Sequence, residues 1–268
     1  GLPSAFDLQL STLSVAESQM GRMGKSVPGP DLSIVQSAWE QPYAIPNYRV
    51  TGYRVPAMLP VGFWRSVGAS QNGFFHEGMI DELAHAEGKD PLDMRLSLVD
   101  HETRRKDIDS AAEMSGWGRR LPAGHGLGVA YVLSFGVPTA EIIEVADTGN
   151  GIEIVKVWVA ADVGLALDPR NIEAQLQSGV NFGLTAAIES EVTFEDGMVQ
   201  QTNFHNYNSI RITQAPPIDV RILENGKKIR GVGEPGTPPA APALANAIFA
   251  ATGKRIRELP LNKHVRFA

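Results

Sequence analysis

A stretch near the end of the chain constrains the fold more than any other: a segment rich in glycine and proline, 231–239, precedes an alanine-rich apolar run, 240–251. Glycine allows backbone conformations and close approaches that a side chain would prevent, and proline suits the first turn of a helix. The alanine-rich run has the composition of a helix that packs closely against its neighbours, and Gly253 is a typical helix stop. The pattern predicts a tight loop that leads into a buried helix.

Glu234 is the one ionisable residue of this loop. Burial of the loop would disfavour a charged carboxylate, whereas nearby amides and a helix N-terminus would favour it. A carboxylate held between these effects is suited to act as a general base. It is also suited to cap the helix by accepting hydrogen bonds from free N–H groups. The loop alone leaves both interpretations open.

The composition excludes several classes of function. With 268 residues, 43% hydrophobic and 20% charged, the chain is long enough for one large domain or two ordinary ones. A formal net charge of −6 argues against a nucleic-acid surface. The absence of cysteine excludes a disulfide, a thiolate zinc site and an iron–sulfur cluster held by this chain. Any electron transfer would therefore involve another polypeptide.

The chain shows no apolar run long enough to span a membrane, and residues 1–6 lack the features of a signal peptide. It begins abruptly within a sequence that has the character of a folded region. We therefore expect it to be a piece of a longer protein.

A second stretch of interest, Phe63-Trp64-Arg65, places a cation beside two aromatic rings just before a predicted helix. Arg65 is either a salt-bridged surface residue with Trp64 in the core, or it faces an anionic or polar ligand at the helix N-terminus. The helix is indicated by apolar residues at helical spacing, which are Phe75, Met79, Leu83 and Ala86. His76 and His85 do not share a face at metal-binding spacing, so we interpret them as structural or exposed.

Asp90-Pro91 predicts the start of a short helix, and the charged residues 102–107 after it indicate a solvated connector. Helical patterns dominate before this stretch and strand patterns after it. We therefore divide the chain into a helix-rich part, 1–106, with the Arg65 loop, and a strand-rich part, 107–268, with the Glu234 loop.

Strands dominate the second part. A buried strand is predicted over 126–136, and two more, 140–146 and 152–161, are joined by the hairpin signal 147–151. The Gly126-x-Gly128 pair lacks the third glycine and the following helix of a dinucleotide-binding fingerprint, which excludes that interpretation.

A long helix is predicted after Asp168-Pro169. Gly179 and Gly183 on it would let a flat ligand or another backbone come close, and close helix packing is the commoner cause. Gln175 lies one turn before Gly179. A hairpin with its turn at 195–197 and a strand over 218–223 then lead back to the Glu234 loop.

Four stretches, taken together and in this order, resemble one known family. They are 62–68 with 80–84 and 88–91; 161–175; 203–207; and 231–235 with 241–247. They are similar to the C-terminal half of the large, molybdenum-cofactor-binding subunit of the xanthine oxidase and aldehyde oxidoreductase family, and most similar to its isoquinoline 1-oxidoreductase beta-subunit group.

The resemblance implies an α+β fold with mixed sheets and packed helices that forms part of a molybdenum-cofactor-binding domain. It implies an oxidoreductase with molybdenum on a molybdopterin, in its cytosine dinucleotide form. The implied reaction is oxidative hydroxylation of an N-heterocycle or an aldehyde, with water as the oxygen donor. Electrons would leave through iron–sulfur clusters on a partner subunit.

The resemblance also implies roles for individual residues. Glu234 matches the family's general base, and Arg65, Gln175 and Gly233 match positions beside the cofactor. No side chain of this chain is expected to ligate the metal. The family's loop usually reads Arg-Gly-Phe-Gly, whereas Ser66-Val67-Gly68 follows Arg65 here.

Because that aromatic residue is absent from the loop, we expect Phe63 or Trp64 to shape the substrate pocket instead. The family's glycine-rich pterin loop, its other glutamine beside the metal and its nucleotide-binding segment are also absent from these residues. They are expected in the remaining N-terminal part of the large subunit, on the same or a separate chain, next to an iron–sulfur small subunit.

Another interpretation is a non-catalytic assembly module that docks a partner chain and holds no cofactor. A glutamate-based hydrolase is disfavoured, since the sequence shows no nucleophile or metal-ligand constellation for it. Export of relatives of the isoquinoline type favours the periplasm over the cytoplasm.

Overall fold

A computed structural model describes residues 1–27, 29–56 and 59–268. Within these residues the chain forms eight β-strands and six α-helices. The strands are β1 Ala5–Leu13, β2 Asn47–Val55, β3 His125–Ser134, β4 Val137–Asp147, β5 Ile152–Asp162, β6 Phe194–Glu195, β7 Met198–Val199 and β8 Ile218–Leu223. The helices are α1 Val15–Arg22, α2 Gly68–Ala86, α3 Pro91–Leu98, α4 Glu102–Ser115, α5 Pro169–Ile188 and α6 Ala240–Thr252.

The main sheet has the strand order β3-β4-β5-β8. Its first three strands are antiparallel neighbours, and β8 pairs in parallel with β5. Among the described residues there are two smaller sheets, the parallel pair β1-β2 and the hairpin β6-β7. The predicted α+β class, the hairpin at 147–151 and the strand over 218–223 are confirmed.

The alanine-rich run forms α6, which lies directly on β3. Gly126 and Gly128 allow this contact, because a Cβ atom at Gly128 would lie 2.1 Å from the Ala247 nitrogen and 2.2 Å from the Ala243 oxygen. Gly253 ends the helix with a positive φ of 75°. The predicted buried helix and its stop are confirmed.

The opposite face of the sheet packs on helices of the first part of the chain. Residues 102–107 begin α4, so the predicted connector was wrong. The charges conceal a buried helix face that includes Asp107, Ile108 and Ala111. The division at 106/107 stays a prediction; its boundary lies inside α4, and Ile108 shares an apolar cluster with Ile80.

Helix α2 exists as predicted, but the apolar stripe that indicated it is not its buried face. The Phe75 and Met79 side chains are 46% and 45% exposed. The buried face contains polar residues instead, such as Asn72, whose amide donates to the Ile34 and Gln36 carbonyl oxygens at 2.9 and 2.8 Å. His76 is buried against aromatic rings, whereas His85 is exposed, as interpreted.

Two predictions fall partly on residues outside the described ranges. The loop predicted over 21–30 includes position 28, and the turn between Pro56 and Pro60 includes positions 57 and 58. Within the described part of the first of these, α1 continues to Arg22.

Candidate functional site

The Arg65 loop enters α2 through an unusual backbone. Ser66 and Val67 have positive φ values of 68° and 48°, a region that side chains rarely occupy. Gly68, the first residue of α2, has no room for a side chain, since a Cβ atom there would lie 1.8 Å from the Ser33 oxygen. Such conformations persist only where the surrounding structure holds them, and they concentrate at functional sites.

The Arg65 guanidinium joins three segments that are distant in sequence. Its Nε donates to the Gly233 carbonyl oxygen at 2.6 Å, and the two terminal nitrogens donate to Ser178 Oγ at 3.0 Å and the Gln175 carbonyl oxygen at 3.3 Å. The Gln175 side-chain oxygen lies 3.4 Å away. The structure thus brings together Arg65, Gln175 and Gly233, as expected for one site.

Electrostatics tie the same arginine to Glu234. Burial lowers the pKa of the Arg65 guanidinium, and the nearby Glu234 carboxylate acts in the opposite direction. Arg65 is therefore a cation held beside this carboxylate.

The Glu234 backbone is fixed, but its carboxylate is not engaged. The Glu234 carbonyl oxygen accepts hydrogen bonds from Ser66 Oγ at 2.8 Å and from the Thr237 N–H at 2.9 Å. Among the described residues, no group donates a hydrogen bond to the half-buried carboxylate. Helix α6 begins at Ala240 with no side-chain cap, so the interpretation of Glu234 as a helix cap was wrong.

Helix α5 packs against the Glu234 loop. Asp168 caps its N-terminus by accepting from the Asn171 N–H. A Cβ atom at Gly179 would lie 3.0 Å from Gly236, and one at Gly183 would lie 2.7 Å from the Thr237 oxygen. The close approach predicted at these glycines is made by the loop that carries Glu234.

An aromatic pair flanks the arginine. The Trp64 and Phe182 ring centroids are 4.8 Å apart, and the Arg65 guanidinium lies 5.7 Å from the Phe182 ring centroid. The Trp64 side chain is 39% exposed and that of Phe63 is 55% exposed. The assignment of Phe63 and Trp64 to a substrate pocket stays a prediction.

Sequence reasoning missed Ser178 and Phe182. They follow Gln175 by three and seven residues on α5, so the three side chains share one helix face. This spacing was the available signal, and it could have extended the site from Gln175 along the helix.

The groups around Glu234 fit a ligand rich in hydrogen-bond acceptors. Among the described residues, the backbone N–H groups of Gly231 to Glu234 make no hydrogen bond to the protein. A Cβ atom at Gly231 or Gly233 would meet nothing within 4 Å, so there is open space beside these amides. Free amides next to a fixed guanidinium are suited to the oxo and phosphate groups of a pterin cofactor.

The metal-ligating side chains of the described ranges are not clustered: no three of His, Cys, Asp or Glu are placed to hold a metal ion together. None of the helices in these ranges is both long and apolar enough to cross a membrane.

Family comparison decides what kind of site this is. Two models of a molybdopterin cofactor-binding domain match the chain, one over residues 80–216 and one over residues 18–98. The chain belongs to this family. The matched ranges include Arg65 and Gln175, and the Glu234 loop lies beyond both.

Individual relatives agree with the family. Isoquinoline 1-oxidoreductase subunit beta of Brevundimonas diminuta is 33% identical over 82% of this chain and 29% of its own length. The membrane-bound aldehyde dehydrogenase [pyrroloquinoline-quinone] of Gluconacetobacter polyoxogenes is 29% identical over 80% of this chain and 32% of its own length. The chain therefore spans about a third of these curated relatives.

The fold agrees with a solved structure. Quinoline 2-oxidoreductase from Pseudomonas putida 86 superposes with a TM-score of 0.73 over 96% of this chain and 59% of the other chain, at 12% identity. At this identity the likeness shows a shared fold.

Proposed function

We propose that the chain is part of the large subunit of a molybdenum hydroxylase and that Glu234 is its general base. The proposal rests mainly on the hydrogen bonds of the Arg65 guanidinium to the Gly233 carbonyl oxygen and to α5. These bonds hold the loop in which the Glu234 carboxylate has no hydrogen-bond donor among the described residues. The family match to molybdopterin cofactor-binding domains supports the first part of this proposal, the kind of subunit.

In this proposal Arg65, Gln175 and Gly233 hold the cofactor, through the guanidinium, the side-chain amide and the free backbone N–H. When bound, the molybdenum–pterin group supplies two-electron redox chemistry. Glu234 accepts a proton as the reaction begins, which requires only that its carboxylate is ionised and within hydrogen-bond reach. Arg65 places a positive charge near this carboxylate.

We propose an N-heterocycle or an aldehyde as the substrate class, with water as the oxygen donor. The names of the relatives include both classes. Trp64 packs against Phe182 beside Arg65, with the two ring planes at 32°, and offers an aromatic surface for a planar substrate. The proposed cofactor is the cytosine dinucleotide form.

The proposed partners are the remaining N-terminal part of the large subunit and an iron–sulfur small subunit, since this chain contains no cysteine. The periplasm is the proposed compartment.

The test replaces the carboxylate with its neutral isostere. We expect Glu234→Gln to lower turnover by about 100-fold or more, because general-base catalysis contributes on that order. Molybdenum and pterin content should stay unchanged. Glu153→Gln, at an exposed position on β5, is the matched control and should retain turnover. Retained turnover in Glu234→Gln would remove Glu234 as the base.

Two further outcomes would redirect the proposal. A complex without any cofactor would favour the assembly module that docks a partner chain. A complex with a quinone and no molybdenum would favour the cofactor named for the Gluconacetobacter relative, pyrroloquinoline quinone.

A further inference from the structure

A buried carboxyl group that the proposed reaction does not use lies in the main sheet. Glu141 on β4 is 0% exposed, and neither of its side-chain oxygens has a hydrogen-bond partner among the described residues. Burial raises the pKa of this carboxyl group well above its usual range, so the neutral acid is favoured. A buried polar group without a partner costs free energy, and such groups in native proteins are usually satisfied by ordered water.

Two hydroxyl groups with the same property lie beside it. Ser134 and Thr139 are 0% exposed, and their hydroxyl oxygens also have no partner among the described residues. Thr139 and Glu141 are two residues apart on β4 and share one sheet face. Thr139 pairs with Val132 of β3, and Ser134 lies two residues further along that strand on the same face.

These side chains interrupt the apolar core between the sheet and α5 and α6. On β4 the same face carries Ile143, in the cluster under α6, and Val137, in a separate cluster with Leu176 of α5. Thr139 and Glu141 lie between Val137 and Ile143 along the strand. On β4 the polar row therefore lies between residues of two apolar clusters.

Thr237, in the Glu234 loop, is a fourth buried group of the same kind. It is 2% exposed, and its hydroxyl oxygen is also without a partner among the described residues. The next residue, Pro238, lies close to Val132, the β3 partner of Thr139, because both approach the same point: a Cβ atom at Gly73 would lie 3.1 Å from the Pro238 oxygen and 3.2 Å from Val132 Cγ2. The Thr237 N–H donates to the Glu234 carbonyl oxygen at 2.9 Å, which closes the turn that carries the carboxylate.

We propose that Ser134, Thr139, Glu141 and Thr237 bind internal water, and that Glu141 acts through this water and Thr237 as a positioning residue for the Glu234 loop. Four groups with five unpartnered oxygens provide the two to four polar contacts that a buried water needs. The neutral Glu141 carboxyl group donates and accepts, so it orders the water beneath the turn.

The positioning role rests on the proposed function, because that function makes Glu234 the general base. The test of the hydrated row measures amide exchange and ordered water and does not measure turnover. A negative result there is therefore distinguishable from a negative result for the proposed reaction.

The experiment is amide hydrogen exchange on the full chain with whatever chains accompany it. Prolines at 235, 238 and 239 carry no N–H, and the first residue of a peptide has no amide, so a peptide over 234–239 reports only the amides of Gly236 and Thr237. Glu141→Leu displaces the water, Glu141→Gln keeps a polar group of the same shape, and Thr237→Val removes the hydroxyl. Glu153→Leu, at an exposed position on β5, is the matched control.

We expect Glu141→Leu and Thr237→Val each to speed exchange at Thr237 by about three- to tenfold, the factor that one modest hydrogen bond provides. The double variant should be no faster than the faster single one, because both act through the same water. Glu141→Gln and the control should resemble the unmodified chain, and exchange in α3 and α4 should not change.

Unchanged exchange at Thr237 in Glu141→Leu, or multiplied effects in the double variant, would overturn the proposal. If Glu141→Leu does not fold, Thr237→Val and a high-resolution crystal structure decide. Ordered water within hydrogen-bond distance of at least two of the four side chains supports the proposal, and a dry row overturns it.

Discussion

Arg65 connects the three sequence segments of the site through a single planar group. Its Nε and terminal nitrogens point to Gly233, Ser178 and Gln175, which lie on a loop and on α5. A guanidinium offers donors in several fixed directions, whereas a lysine ammonium is a compact point charge. The geometry of this residue, and not only its charge, therefore holds the Glu234 loop against the helix.

The prediction is that Arg65→Lys keeps the charge and loosens the loop. We expect a loss of about 1–2 kcal/mol in the free energy of unfolding, because one or two charged hydrogen bonds are lost. Denaturant titration measures this. Arg54→Lys is the control: among the described residues its single ion pair, with Glu17 at 3.4 Å, lies at the surface, where an ion pair is worth little. Equal losses in the two variants would show that the Arg65 contacts have no special weight.

Asp107 gives a second prediction at the residue scale. It is 0% exposed and accepts from the Tyr131 hydroxyl at 3.0 Å, and burial raises the pKa of its carboxyl group to about 8. Because folding raises this pKa, the fold favours the protonated carboxyl group. Its contribution to the free energy of unfolding is fully present below the unfolded pKa of 3.8 and is lost as the pH rises towards 8.

The unmodified chain should therefore lose about 1–3 kcal/mol in its free energy of unfolding between pH 4 and pH 8. Asp107→Asn should not show this loss, because an amide does not titrate. The amide keeps an acceptor for the Tyr131 hydroxyl. Urea unfolding of both proteins at pH 5 and pH 8 gives the two slopes. Parallel pH dependences would mean that Asp107 does not titrate on unfolding in this range.

At the scale of single residues, the sequence indicated Glu234, Arg65, Gln175 and Gly233 through motifs, and the structure places them together. It did not indicate Glu141, whose neighbours in the sequence are ordinary strand residues. Glu141 is notable only in the fold, which buries its carboxyl group with no hydrogen-bond partner among the described residues. A burial pattern of that kind depends on contacts distant in sequence, which no local pattern contains.

At the scale of the elements, the packing of the Glu234 loop on α5 leaves no room for a side chain at Gly183. A Cβ atom at Gly183 would lie 2.7 Å from the Thr237 oxygen and 2.8 Å from the Ala240 Cβ, so a side chain there forces the two apart. Gly78 on α2 offers the opposite case, because a Cβ atom there would meet nothing within 4 Å.

We expect Gly183→Ala to destabilise the protein by about 1–3 kcal/mol, the usual cost of overpacking. Gly78→Ala should instead stabilise it by about 0.5–1 kcal/mol, because alanine is the better helix residue. Thermal unfolding of the two variants measures the difference. A gain of stability in both would show that α5 and the loop move apart without cost.

Local patterns predicted the elements whose signals are local. The hairpin between β4 and β5 and the glycine stop of α6 each need only a few neighbouring residues. The buried face of α2 and the helix α4 were misread for one reason: their polar residues, such as Asp107 and Asn72, make hydrogen bonds to partners distant in sequence. Hydrophobic periodicity does not register a polar residue that is buried with a partner.

At the scale of the whole molecule, the described surface carries large apolar side chains in several places. Phe204 and Ile212 are 90% and 93% exposed, and Phe75, Met79 and Phe63 are each about half exposed. The chain spans about a third of its curated relatives. The sequence alone does not indicate which apolar side chains are exposed, because exposure depends on contacts between residues that are distant in sequence.

The last prediction concerns whether the site is complete. Among the described residues, the backbone N–H groups of Gly231 to Glu234 have no hydrogen-bond partner, and open space lies beside Gly231 and Gly233. We expect molybdenum and pterin at about one per complex only where further polypeptide accompanies the chain. Metal and pterin analysis, with intact masses of every co-purifying chain, measures this. A lone 28.9 kDa chain with a full complement of molybdenum would contradict the prediction, because these residues would then suffice to hold the cofactor.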